Sequence, residues 1–150
     1  MPSAKLFAVL AIVFSVCAGL AWLRPLPVVD IAVHDRFFAV GPVLVLLFCA
    51  ATSVNFTVLY YAGARFFHAH WNRTLSVLHF LLFVCFGFSF AVVFVMSTRV
   101  ANGPDTGEAL RWLVTPFFLG IFSLGASFVL FGVNLTMVII QIVRARFANH

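Results

Sequence analysis

The sequence predicts an all-α membrane protein, a single four-helix bundle over residues 1–150 in which every helix crosses the bilayer. Three observations carry this. The 150 residues are 64% apolar and only 9% charged, with a mean hydropathy of +1.15, whereas a soluble domain carries about 25% charged residues to cover its surface. Four apolar runs each approach or exceed the roughly 20 residues that span a bilayer. The connections between them are short, at Arg24–Arg36, Gly63–Thr74 and Arg99–Arg111, so no soluble domain fits between spans.

The first run is Leu6–Leu23. Read as a cleaved leader it has only Lys5 as an n-region, and its apolar stretch is longer than a signal peptide's. The second is Phe37–Ala62, with Gly41-Pro42 about one turn in. Pro42 removes a backbone donor and disfavours helical geometry at Gly41, so the pair marks either helix-start chemistry or a kink. The third is Leu75–Thr98 and the fourth Trp112–Val143, long enough to tilt or to project from the membrane. Continuous runs exclude the alternating ten-residue segments of a β-barrel. Helices remain, because lipid offers no partners for backbone polar groups.

The net charge of +5 is nine Lys and Arg against four acids, the cations scattered singly at the ends of apolar runs. That is the pattern of interfacial anchors and not of a nucleic-acid surface. Lys5, Arg65, Arg73, Arg144 and Arg146 fall on one side and Arg24, Arg36, Arg99 and Arg111 on the other. The excess of cations inside places both termini inside. Cys17, Cys49 and Cys85 lie singly in apolar runs and read as small apolar filler.

Helices in lipid associate through small residues and hydrogen bonds. Candidate contact faces are Ala11, Ser15 and Gly19 on the first span, Cys49 and Ser53 on the second, and Ser123 and Ser127 with Gly125 and Gly132 on the fourth. Asn55 and Asn134 are amides within spans, expected to face other helices.

Two stretches carry a resemblance. "VDIAVHDRFFAV" supplies Asp30, Ile31, His34, Asp35, Phe38 and Val40. "NRTLSVLHFLLFVCFGFSF" supplies Asn72, Thr74, Leu75, His79, Phe80, Phe83, Gly87, Phe88 and Phe90. They resemble consecutive helices near the end of heme-copper oxidase subunit I, and the distance from His34 to His79 agrees with that family's spacing. Arg99, Pro104 and Asp105 stand where the family has its next outer loop, and Ile121–Phe128 looks like the opening of its last helix. The resemblance spans the whole chain and implies the last four of twelve core helices, with the N-terminus inside.

What the family uses for chemistry is replaced here. Its heme-ligating His pair corresponds to Pro42 and Leu44, and neither side chain ligates iron. Its copper ligands lie on helices outside the resemblance. The expectation is therefore a non-catalytic, oxidase-like module without a cofactor, a structural or accessory subunit in a bacterial inner membrane. It would associate with a respiratory complex or with itself. The family's subunit is built of three four-helix arcs, so three copies of one arc would rebuild the cylinder as a homotrimer.

Some polar residues remain. His34 and Asp35 either hold a divalent cation or cap the second helix, with Asp35 at its positive end. His79 is a candidate heme ligand, which makes a heme-binding electron carrier the alternative function. The structural reading is a neutral His bonded to a neighbouring helix. His68 and His70 form a loose His-x-His beside Trp71 and Arg65; these loop histidines are the other candidate heme ligands or a loose metal pair, and read more simply as an interfacial belt. A channel ranks last, because no span contains an acid.

Overall fold

In the computed structural model the described residues are 2–23, 29–33, 36–68, 70–101 and 106–147. Four helices form: α1 (Pro2–Leu23), α2 (Pro42–Phe66), α3 (Arg73–Ala101) and α4 (Thr106–Phe147). All four are long and apolar enough to cross a membrane. The chain is an integral membrane protein whose apolar helices contact lipid.

The connection before α2 differs from the expected plain loop. Val29–Val33 and Arg36–Val40 pair as an antiparallel hairpin, β1 and β2, from Val29 opposite Val40 to Val33 opposite Arg36. Both strands are rich in β-branched and aromatic residues, which favour extended pairing. The second helix therefore starts at Pro42 and not at Phe37. Gly41 is its N-cap, extended at φ −84° and ψ 146°, and Pro42 occupies the first turn. Proline loses nothing there, since the first amides of a helix have no internal acceptor. The Gly41-Pro42 pair is thus helix-start chemistry, located at the start itself. The expectation for Asp35 at this helix end falls outside the described residues.

The other helices also outrun their sequence bounds. α3 continues to Ala101, so Arg99 lies in its last turn and not in a loop. α4 has 42 residues, about 63 Å at about 1.5 Å per residue. That exceeds a hydrocarbon core of about 30 Å, so α4 tilts or projects beyond it. Between α2 and α3 the chain turns at His68, whose φ of 49° is left-handed. Phe67 N–H closes the end of α2 on Gly63 O at 3.2 Å.

α1 packs mainly on α2, and α3 mainly on α4. A phenylalanine cluster joins the two pairs. Phe7 and Phe14 of α1 meet Phe83 of α3, and Phe56 of α2 meets Phe131 of α4 at 5.0 Å between ring centroids. Two glycines permit close approach. A Cβ on Gly87 would come within 2.6 Å of the Phe14 ring, and one on Gly120 within 3.0 Å of Phe90.

Candidate functional site

Polar groups gather where α2, α3 and α4 converge, towards the α2–α3 turn. α2 buries Cys49, Ser53, Phe56 and Tyr60 on one face, steps of three and four residues that stay on a helical stripe. This brings the Tyr60 hydroxyl to 3.0 Å from His79 Nδ1 on α3. The Ser127 hydroxyl of α4 donates to the His79 carbonyl at 3.2 Å.

One turn away, Asn72 precedes α3 and accepts the Leu75 N–H on its own Oδ1 at 3.1 Å, the geometry of an N-terminal cap. Asn134 of α4 reaches this cap. Its Oδ1 accepts the Asn72 N–H at 3.1 Å. Its Nδ2 donates to Ser76 Oγ at 2.9 Å and to the Asn72 carbonyl at 3.4 Å. Ser76 Oγ donates in turn to the Asn72 carbonyl at 2.8 Å. Tyr60, His79, Ser76, Ser127 and Asn134 are all buried. Every member is neutral or able to stay so, which suits a site with no water to solvate charge.

Two buried side-chain polar atoms stand unpaired among the described residues: His79 Nε2 and Trp71 Nε1. Aromatic rings surround the His79 imidazole. Phe56 meets it edge-on at 4.4 Å, Phe7 lies at 4.8 Å and Phe131 at 5.4 Å between centroids. A porphyrin coordinated at Nε2 would have to displace these rings. The residues present therefore do not fit a heme in this conformation. The arrangement joins α2, α3 and α4 through neutral hydrogen bonds.

The other sequence candidates divide clearly. Ser127 and Ser123 are buried, Ser123 bonding back to Gly120 O at 2.9 Å. Ser15 and Gly19 are exposed, and a Cβ on Gly19 would meet nothing within 4 Å. Ser15 Oγ bonds back to the Ala11 carbonyl of its own helix at 2.8 Å, and α1 buries Phe7, Ala11, Phe14 and Ala18 instead. Gly125 and Gly132 are likewise open. Asn134 faces other helices as expected, but Asn55 is exposed. Leu44, at one heme-ligand position of the resemblance, is 63% exposed, while Pro42 is buried. His34 and Asp35 lie outside the described residues. His68 and His70 are exposed, and the described residues hold no group of three metal-ligating side chains.

Tyr60, Ser76 and Asn72 were not singled out as a site by sequence. A signal existed for each. An asparagine just before an apolar run reads as a helix cap, and Tyr60 continues the Ser53–Phe56 stripe. Compared with protein-family models, curated proteins and solved structures, the chain finds no match.

Proposed function

We propose that this chain is a non-catalytic membrane module resembling the last four helices of heme-copper oxidase subunit I. It serves as a structural or accessory subunit and assembles with itself, as a homotrimer, or with a respiratory membrane complex. The observation that carries the reading is the use made of its buried polar groups. Asn134, Ser76, Asn72, Ser127 and Tyr60 are spent on clips between helices. Leu44, at a ligand position of the resemblance, points out of the bundle. Lys5, Arg65, Arg73, Arg144 and Arg146 on one side favour a bacterial inner-membrane setting with both termini inside.

The alternative, a heme-binding electron carrier, has one observation in its favour: His79 Nε2 lacks a partner. An absorption spectrum of the purified protein, taken with its native mass, tests both. The module reading expects no Soret band and three chains per particle. A Soret band lost in His79→Ala would establish the carrier instead, and a monomer would overturn the assembly.

A further inference from the structure

Asn55 stands near the middle of the 25-residue α2, within a hydrocarbon core of about 30 Å where water is absent. Its side chain is exposed and lies on the face opposite Cys49, Ser53 and Phe56. No hydrogen bond reaches it among the described residues. The amide carries two donor hydrogens and an acceptor oxygen, and lipid tails satisfy none of them. Polar side chains in spans face protein for this reason.

The surroundings are patterned. Leu44, Phe48, Ala51, Asn55, Val58 and Ala62 follow one another in alternating steps of four and three. All are exposed except Ala62, which is half-buried. Steps of four and three define the seam of a left-handed helix pair, where one polar residue sets register. Ala51 and Ala62 allow a partner helix to approach closely.

We propose that copies of this chain meet through this seam, with the Asn55 amide bonded to Asn55 of a second copy. Two arguments select another copy over a different partner. Copies inserted in the same orientation hold each residue at the same depth, so the seam meets itself in register around an axis normal to the membrane. An amide is both donor and acceptor, so Asn55 satisfies its own image. From Leu44 to Ala62 the seam carries no charge to call for a complementary one, and Arg65, its next step, stands in the last turn of α2. This deepens the self-assembly part of the proposed function without needing its count of three, since two amides pair and three close a ring.

The test uses the full chain in lipid nanodiscs, its mass read by native mass spectrometry and its association by fluorescence transfer between labelled copies. Asn55→Leu is expected to weaken association about tenfold, and Asn55→Gln to restore part of it. In a chain with Cys17, Cys49 and Cys85 replaced, Val58→Cys is expected to cross-link copies on oxidation. Val129→Cys, 65% exposed on α4, is not. A trimer or dimer dispersed by Asn55→Leu supports the seam, and the dimer would overturn the threefold count. A trimer indifferent to Asn55→Leu and cross-linked through position 129 overturns the seam and leaves the trimer standing. A wild-type monomer overturns both.

Discussion

Asn134 holds Asn72 from both sides of the peptide, accepting its N–H at 3.1 Å and donating to its carbonyl at 3.4 Å. One side chain of α4 thus fixes the first turn of α3 and satisfies Ser76 as well. The connection costs no charge, and it aligns the two helices along their length at one point.

Asn134→Leu removes that clip and leaves the Asn72 backbone N–H without its acceptor, while the Ser76 hydroxyl loses the amide donor and keeps its bond to the Asn72 carbonyl. An orphaned buried group costs about 1–3 kcal/mol, although polar contacts between membrane helices average about 0.6 kcal/mol. The expected loss is about 2 kcal/mol, read as a lower midpoint in denaturant titration in bicelles. Asn55→Leu, which breaks no bond within the chain, is expected to leave the monomer's stability unchanged. Equal losses in the two variants would contradict the assignment of Asn134 as the internal clip.

The Tyr60–His79 bond is expected to behave as one energetic unit. Tyr60→Phe strands His79 Nδ1, and His79→Phe takes the imidazole from the Tyr60 hydroxyl, which keeps Ser76 and Asn134 beside it, each at about 1 kcal/mol. The double variant should recover part of the loss. A coupling energy of about 0.6–1.7 kcal/mol is expected from a double-mutant cycle. His79→Ala should cost more, about 2–4 kcal/mol, because it also opens a cavity among Phe7, Phe56 and Phe131. Strict additivity of Tyr60→Phe and His79→Phe would mean the 3.0 Å approach carries no bond energy.

Glycines test which faces pack. Gly87→Ala places a methyl within 2.6 Å of Phe14. A ring in a packed core yields poorly, so overpacking of about 1–3 kcal/mol is expected. Gly87→Ala combined with Phe14→Leu should regain most of it. Gly19→Ala is expected to be neutral, since no atom lies near its added Cβ. Thermal melts of the four proteins settle the order.

The contrast between Gly19 and Gly87 shows what the sequence could convey. Four continuous apolar runs specify four helices, because lipid leaves the backbone no other arrangement. A small residue signals close approach without saying to whom. Ser15 and Gly19 recur at helical spacing yet face outward, while Gly87, amid larger residues, receives Phe14. His79 was legible as a His turned inward, but its partner Tyr60 was not, because the pairing depends on how α2 docks on α3. Asn55 and Asn134 look alike in sequence, and only packing separates the internal clip from the outward amide. The hairpin was hidden by hydropathy. Its strands are as apolar as the helix that follows, so the apolar run appeared to begin at Phe37.

That boundary can be moved. Gly41 is held extended because Pro42 follows it, and the first bond of α2, Val45 N–H to Gly41 O, is long at 3.3 Å. Replacing Pro42 with Ala removes the clash that disfavours helical geometry at Gly41 and supplies a backbone donor. The helix is then free to extend towards β2, competing with the Val29–Val40 pairing at the open end of the hairpin. Global stability should change by less than about 1 kcal/mol, because proline in the first turn breaks no helical bond. Amide exchange is where the effect should show, with slower exchange at Gly41 and Leu44 and faster exchange in Val29 and Asp30. An exchange pattern identical to the wild type would mean the hairpin, and not Pro42, sets where α2 begins.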